Sequence, residues 1–121
     1  MAGRPAIIEK EPTPLADSEL VARLFRALGD ATRIRIVELL IDEQELHQMD
    51  IVRRLGATQA RVSEHMACLL WCGFVDARTE GRRIFYRVTN RRVRTLLDKA
   101  RQFLEQNEAQ IATCRRIDPK E

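Results

Sequence analysis

Apolar positions recur along this chain in two periods, helical through most of its length and alternating in one short stretch. From Asp17, Leu20, Val21, Leu24, Phe25 and Leu28 keep helical spacing, and Gly29 closes the run. Asp30 then predicts an N-cap, its carboxylate accepting from the free backbone N–H groups near Arg33. Ile34, Val37, Leu40 and Ile41 supply the buried face of that second helix. A third, shorter helix is predicted over Leu46 to Leu55, with Met49, Val52 and Leu55 inward and Gly56 as its stop. Thr58 predicts the cap of a fourth, whose face is Val62, Met66, Leu69 and Leu70 and whose end is Gly73.

The third and fourth helices, joined by a tight glycine-containing turn, read as a helix-turn-helix, the fourth being the recognition helix. FVDAR and RIFYRV then shift to strand-like composition around the turn TEGR, which predicts a β-hairpin, the wing of a winged helix. From Asn90 helical spacing returns through Val93, Leu96, Leu97, Ala100, Phe103, Leu104 and Ile111. That stripe exceeds what a small domain needs inside, so it reads as core or as a dimer seam, as does the apolar face of the first helix. The fold class expected is mainly α with a small β-hairpin, a winged helix-turn-helix dimerising through its first and last helices. The expected divisions are an arm over 1–15, the DNA-binding and dimerisation domain over 16–113, and a tail over 114–121.

Composition narrows the function. The chain has 121 residues, 45% apolar, with net charge +3. Between Arg78 and Arg101 nine basic residues face only Glu80 and Asp98. Such an excess is either a solvated face or the footprint of a phosphate-binding surface. No apolar run is long enough for a membrane span, and the proline-bearing MAGRPAIIEKEPTPL lacks the apolar block of a secretory signal. Three cysteines without a small secreted scaffold point to reduced thiols in the cytoplasm. Neither a glycine-rich phosphate loop nor HExxH nor GxSxG occurs, and two scattered histidines give little for acid–base work, so an enzyme is not expected.

Residues early in a recognition helix reach base edges, which makes Gln59, Arg61, Ser63, Glu64 and His65 the candidates. Gln59 suits an adenine edge, and Arg61 a guanine edge or a phosphate. His65 reads equally as a packing residue within the helix. Arg82 and Arg83, at the wing tip, would meet backbone or minor groove.

HMACLLWCGF places Cys68 and Cys72 four residues apart, so both thiols lie on one helix face. A single ion can bridge such a pair, but taken alone the pair reads more simply as small buried hydrophobes.

The order of helices, wing and closing helix resembles the ArsR/SmtB family of metal-responsive repressors. RALGDATRIRIVELL is similar to the family's second-helix signature, QARVSEHMACL to its recognition helix and EGRRIFYRV to its wing, a match running from about Leu20 to Ile111. The resemblance implies a homodimer that binds double-stranded operator DNA, with Ser63 and His65 at positions the family uses against DNA. One family site places cysteines in the third helix, where ELHQMDI here has His47 and Met49. Another uses carboxylates and histidines on the closing helix, which here has no histidine. A third layout, found in cadmium- and lead-sensing members, is similar to Cys68, Cys72 and Cys114, and implies that these three ligate the inducing ion. Three thiolates favour soft ions, and structural zinc would require a fourth ligand that is not evident. The implied inducer is Cd2+ or Pb2+, with Hg2+ as the alternative; a thiol-based redox sensor on the same scaffold is the competing reading.

Overall fold

The computed structural model describes residues Leu15–Asp118. The arm expected over 1–15 therefore lies, but for Leu15, outside the described residues, as do 119–121 of the tail. By its internal contacts the chain divides into two compact units, the boundary falling after Thr89.

The first unit holds α1 (Asp17–Leu28), α2 (Ala31–Glu43), β1 (Leu46–His47), α3 (Gln48–Leu55), α4 (Gln59–Cys72), β2 (Asp76–Glu80) and β3 (Arg83–Arg87). Two of its helices, α2 and α4, begin where an oxygen-bearing side chain takes up a free N–H group. Asp30 accepts from the Arg33 N–H and Thr58 from the Arg61 N–H, as the sequence predicts. Gly56 and Gly73 end α3 and α4 at φ 69° and 86°, left-handed backbone that a side chain would disfavour. Beyond Gly73, the N–H groups of Phe74 and Val75 turn back onto the Leu69 carbonyl at 2.9 and 3.3 Å. That wrap keeps Phe74 and Val75 out of the strand predicted for them and buries both side chains.

Four predicted details are corrected. Leu46 and His47 are strand, paired antiparallel with Tyr86 and Phe85, so the sheet has three strands in the order β1-β3-β2. The third helix consequently starts at Gln48, with His47 as its cap: Nδ1 of His47 accepts from the Met49 N–H at 3.2 Å. The side chain α3 buries completely is Ile51, with Met49, Val52 and Leu55 only half-buried. In α2 the buried set is Ile36, Val37 and Leu40, while Ile34 and Ile41 are half-buried. Both helices carry more apolar positions than one face holds, and packing against α4 selects which of them becomes the centre. Val62, Met66 and Leu69 of α4 are buried as predicted. Val62 and Leu69 lose all exposure, worth roughly 1.5–3 kcal/mol each.

The wing is β2 and β3, with Glu80 opposite Arg83 across a two-residue turn. Gly81 takes φ 64° at the first turn position, the geometry that glycine supplies in tight hairpins. The second unit is dominated by α5 (Arg91–Thr113), whose cap Asn90 accepts from the Arg92 N–H. Phe103, Leu104 and Ile111 are exposed on it, and on α1 so are Leu20, Val21, Leu24 and Phe25. Among the described residues no helix is long and apolar enough to cross a membrane.

Candidate nucleic-acid interface and thiol site

The two halves of α4 differ in character. Its first turns expose Gln59, Arg61, Ser63 and Glu64. Buried Val62 and Met66 hold the opposite face to the core, so these four polar side chains point outward together. Ser63 is tied from the side: Gln48 Nε2 donates to its Oγ at 2.9 Å, and the Tyr86 hydroxyl donates to Gln48 Oε1 at 3.2 Å. Because its oxygen already accepts, the Ser63 hydroxyl proton is free to point outward. Nothing in the spacing of Gln48 singled it out, because this link runs between α3, α4 and β3.

His65 is turned the other way. Its side chain is only 13% exposed, and its Nδ1 lies 3.2 Å from the Arg33 guanidinium. Its Nε2 lies 3.9 Å from the Asp30 carboxylate. Both ring nitrogens thus face partners inside the unit, the packing alternative that the sequence left open. Asp30 experiences desolvation that pulls its pKa upward, but the Arg33 N–H and the His65 and Arg33 charges outweigh it and hold the carboxyl below its usual range.

At the far end of the hairpin Arg82, in the turn itself, and Arg83, the first residue of β3, are both exposed. Their exposure at the tip of the hairpin leaves both side chains open to a polyanion.

The second half of α4 carries the thiols. Cys68 is half-buried and Cys72 exposed, one turn apart and in side-chain contact. They line a groove of about 540 Å3 between α1 and α4, together with Leu20, Arg23, Leu24, Arg26 and Trp71. Partial burial pushes the Cys72 thiol up, and the neighbouring Cys68 pushes it further; the charges of Arg33 and Arg23 oppose the rise. The Cys72 thiol therefore keeps its proton until a thiophilic ion displaces it. The pair's donors fit a soft ion, and for Cd2+ or Pb2+ two thiolates alone leave the coordination shell incomplete. Among the described residues no three His, Cys, Asp or Glu side chains gather closely enough to hold an ion. Cys114 caps the C-terminal end of α5 and is exposed.

Residues 30–77 match the model of the arsR family of bacterial regulatory proteins. The chain is 36% identical over 104 residues to the probable mercury resistance operon repressor of Streptomyces lividans, covering 86% of this chain and 82% of that one. It is 35% identical over 88 residues to a cadmium resistance transcriptional regulatory protein CadC homolog of Staphylococcus aureus, covering 73% and 71%. Among solved structures it resembles the homodimeric winged helix-turn-helix DNA-binding domain of a possible ArsR-family regulator from Mycobacterium bovis. That likeness has a TM-score of 0.64 and 27% identity, and covers 79% of this chain and 92% of that one.

Proposed function

The chain belongs to the arsR family of bacterial regulatory proteins, and on that premise we propose a homodimeric, operator-binding repressor released by a soft heavy-metal ion. The family is one of DNA-binding transcriptional regulators, not of enzymes. The ion is held by Cys68, Cys72 and Cys114, the last from its own or the second subunit, and release derepresses metal resistance or efflux genes. Cd2+ or Pb2+ is the inducer, with Hg2+ the alternative. The relatives named for mercury and cadmium resistance fall in the same chemical class.

One observation carries this reading: a contacting thiol pair occupies the C-terminal half of the helix whose N-terminal half presents the DNA-facing side chains. Ligation that changes the pose of one half necessarily moves the other, because a helix is stiff along its axis. Gln59, Arg61, Ser63 and Glu64 read or line the major groove, and Arg82 and Arg83 hold phosphate or minor groove. His65 acts from behind the reading face. The exposed apolar stripes on α1 and α5 support the dimer, since each leaves large side chains in water that a second copy would cover.

The experiment is an anaerobic cadmium titration of the reduced protein, following thiolate charge-transfer absorbance and Trp71 fluorescence, with operator binding measured in parallel. One ion per subunit, operator release of about tenfold or more, and loss of both in Cys114→Ser are expected. Absence of a charge-transfer band would sink the metal reading. A specific disulfide formed under mild peroxide would replace it with a redox sensor.

A further inference from the structure

Arg33 stands where three helices meet. Its side chain leaves α2 and crosses the end of α1, with Nε donating to the Ala27 carbonyl at 2.5 Å and Nη2 to the Arg26 carbonyl at 3.3 Å. The remaining arm, Nη1, lies 3.2 Å from Nδ1 of His65 on α4. A guanidinium only donates, so His65 Nδ1 is the acceptor and the ring proton sits on Nε2, facing Asp30. All three arms of one planar group are therefore committed, two to α1 and one to the recognition helix.

The same residues border the thiols. Arg26 and Ala27, whose carbonyls hold Arg33, line the groove that Cys68 and Cys72 line from the other side. His65, Cys68 and Cys72 follow one another at i, i+3 and i+7, so they form a single stripe along α4. Arg33 holds the upper end of that stripe, and its charge is felt by Cys72 at the lower end. Arg23 also acts on Cys72, but its side chain has no bond to the DNA-reading half of α4 among the hydrogen bonds of the described residues.

We propose that Arg33 is the positioning residue through which occupancy of the Cys68/Cys72 site reaches the DNA-reading half of α4. The inference rests on the metal-release function argued above and supplies its coupling element. Three thiols that bind one divalent ion release three protons and leave a site of net charge −1. That charge draws the guanidinium toward the sulfurs. A rigid fork committed to Ala27, Arg26 and His65 cannot shift without lengthening its bond to His65. The loosened ring then no longer braces the helix from behind, and Gln59, Arg61 and Ser63 lose their common register on the DNA. Linkage requires the reverse as well: operator binding, by holding His65 on Arg33, weakens metal capture by the same factor.

The test compares wild type with Arg33→Gln, using the full chain, cadmium and a fluorescent operator duplex. Charge-transfer absorbance and Trp71 fluorescence report cadmium affinity, and anisotropy reports operator affinity with and without saturating cadmium. Arg33→Gln is expected to bind cadmium within about threefold of wild type, while its release factor falls from about tenfold or more to under about threefold. An unchanged release factor overturns the proposal. If Arg33→Gln does not fold, His65→Leu and His65→Gln decide, because both leave the α1 clamp intact and only Gln restores an acceptor for Nη1. Release retained in His65→Gln and lost in His65→Leu supports the relay; equal release in the two overturns it. A wild-type protein that binds cadmium without leaving its operator sinks the function itself, a result distinct from any difference among these variants.

Discussion

Arg78 of β2 grips Glu45 with two hydrogen bonds, Nε to Oε2 at 2.6 Å and Nη2 to Oε1 at 2.9 Å. Its third arm reaches Glu80 at 2.8 Å, and its guanidinium carbon lies 4.9 Å from the centre of the Phe85 ring. The wing is thereby fastened at its base to the segment that enters α3. The hydrogen bonds from Arg78 hold the Glu45 carboxyl below its ordinary value; desolvation opposes them, and the charges of Arg78 and Arg87 add to the lowering. A depressed carboxyl contributes stability in full above the ordinary carboxylate range, and that contribution disappears as pH falls through the folded value. Glu45→Gln should therefore melt below wild type at neutral pH, and the two curves should converge in acid. Parallel melting curves at every pH would show that the pair does not hold the wing.

The Cys72 thiol, raised by burial and by Cys68, should resist alkylation near neutrality. Removing the neighbour in Cys68→Ser lifts the second of those causes, and iodoacetamide labelling of Cys72 at mildly alkaline pH should quicken by about threefold or more. Cadmium must displace these protons, so its affinity should climb with pH across the neutral range. A pH-independent affinity would mean that the thiols are not the ligands.

Gln48 joins the wing to the recognition helix through Tyr86 and Ser63. Replacing it with Leu removes both bonds at similar size. Metal-free operator affinity should drop by about fivefold, equivalent to about 1 kcal/mol, with cadmium affinity unchanged. Tyr86→Phe, which removes only the outer bond, should fall between. An operator affinity indifferent to Gln48→Leu would rule the link out as a determinant of DNA pose.

Gln44 ends α2 at φ 75° and ψ −45°, a positive-φ conformation outside the left-handed helical well that side chains rarely adopt. Gln44→Gly should relieve this strain and stabilise the protein by about 1 kcal/mol, raising Tm by roughly 4 °C. A lower Tm in the glycine variant would show that the side chain of Gln44 makes contacts worth more than the strain.

Gln44 also illustrates where local reading stops. No glycine or asparagine marks the position, and its backbone is set by the need to turn from α2 into β1. The same holds for Leu46 and His47. By periodicity they continue a helix, yet the exposed edge of β3 offers them pairing partners. Backbone groups that find partners far along the chain escape any window of neighbouring residues. The centre of each buried stripe behaves likewise: α2 and α3 have apolar residues on several sides, and only the neighbouring helices choose Ile36 and Ile51.

Helix order, caps at Asp30 and Thr58, stops at Gly56 and Gly73, the hairpin and the thiol pair were all determined by the sequence itself. Each depends on interactions within one or two turns, so neighbouring residues suffice to specify it. The chain's place in its family followed from the same local motifs taken in order. Only the tertiary structure decided that His65 faces inward to Arg33, that Gln48 links Ser63 to Tyr86, and that Arg26 and Ala27 share a groove with Cys68 and Cys72. Those contacts join residues that the folded chain brings together from separate elements, and their geometry exists only once the core between them has packed.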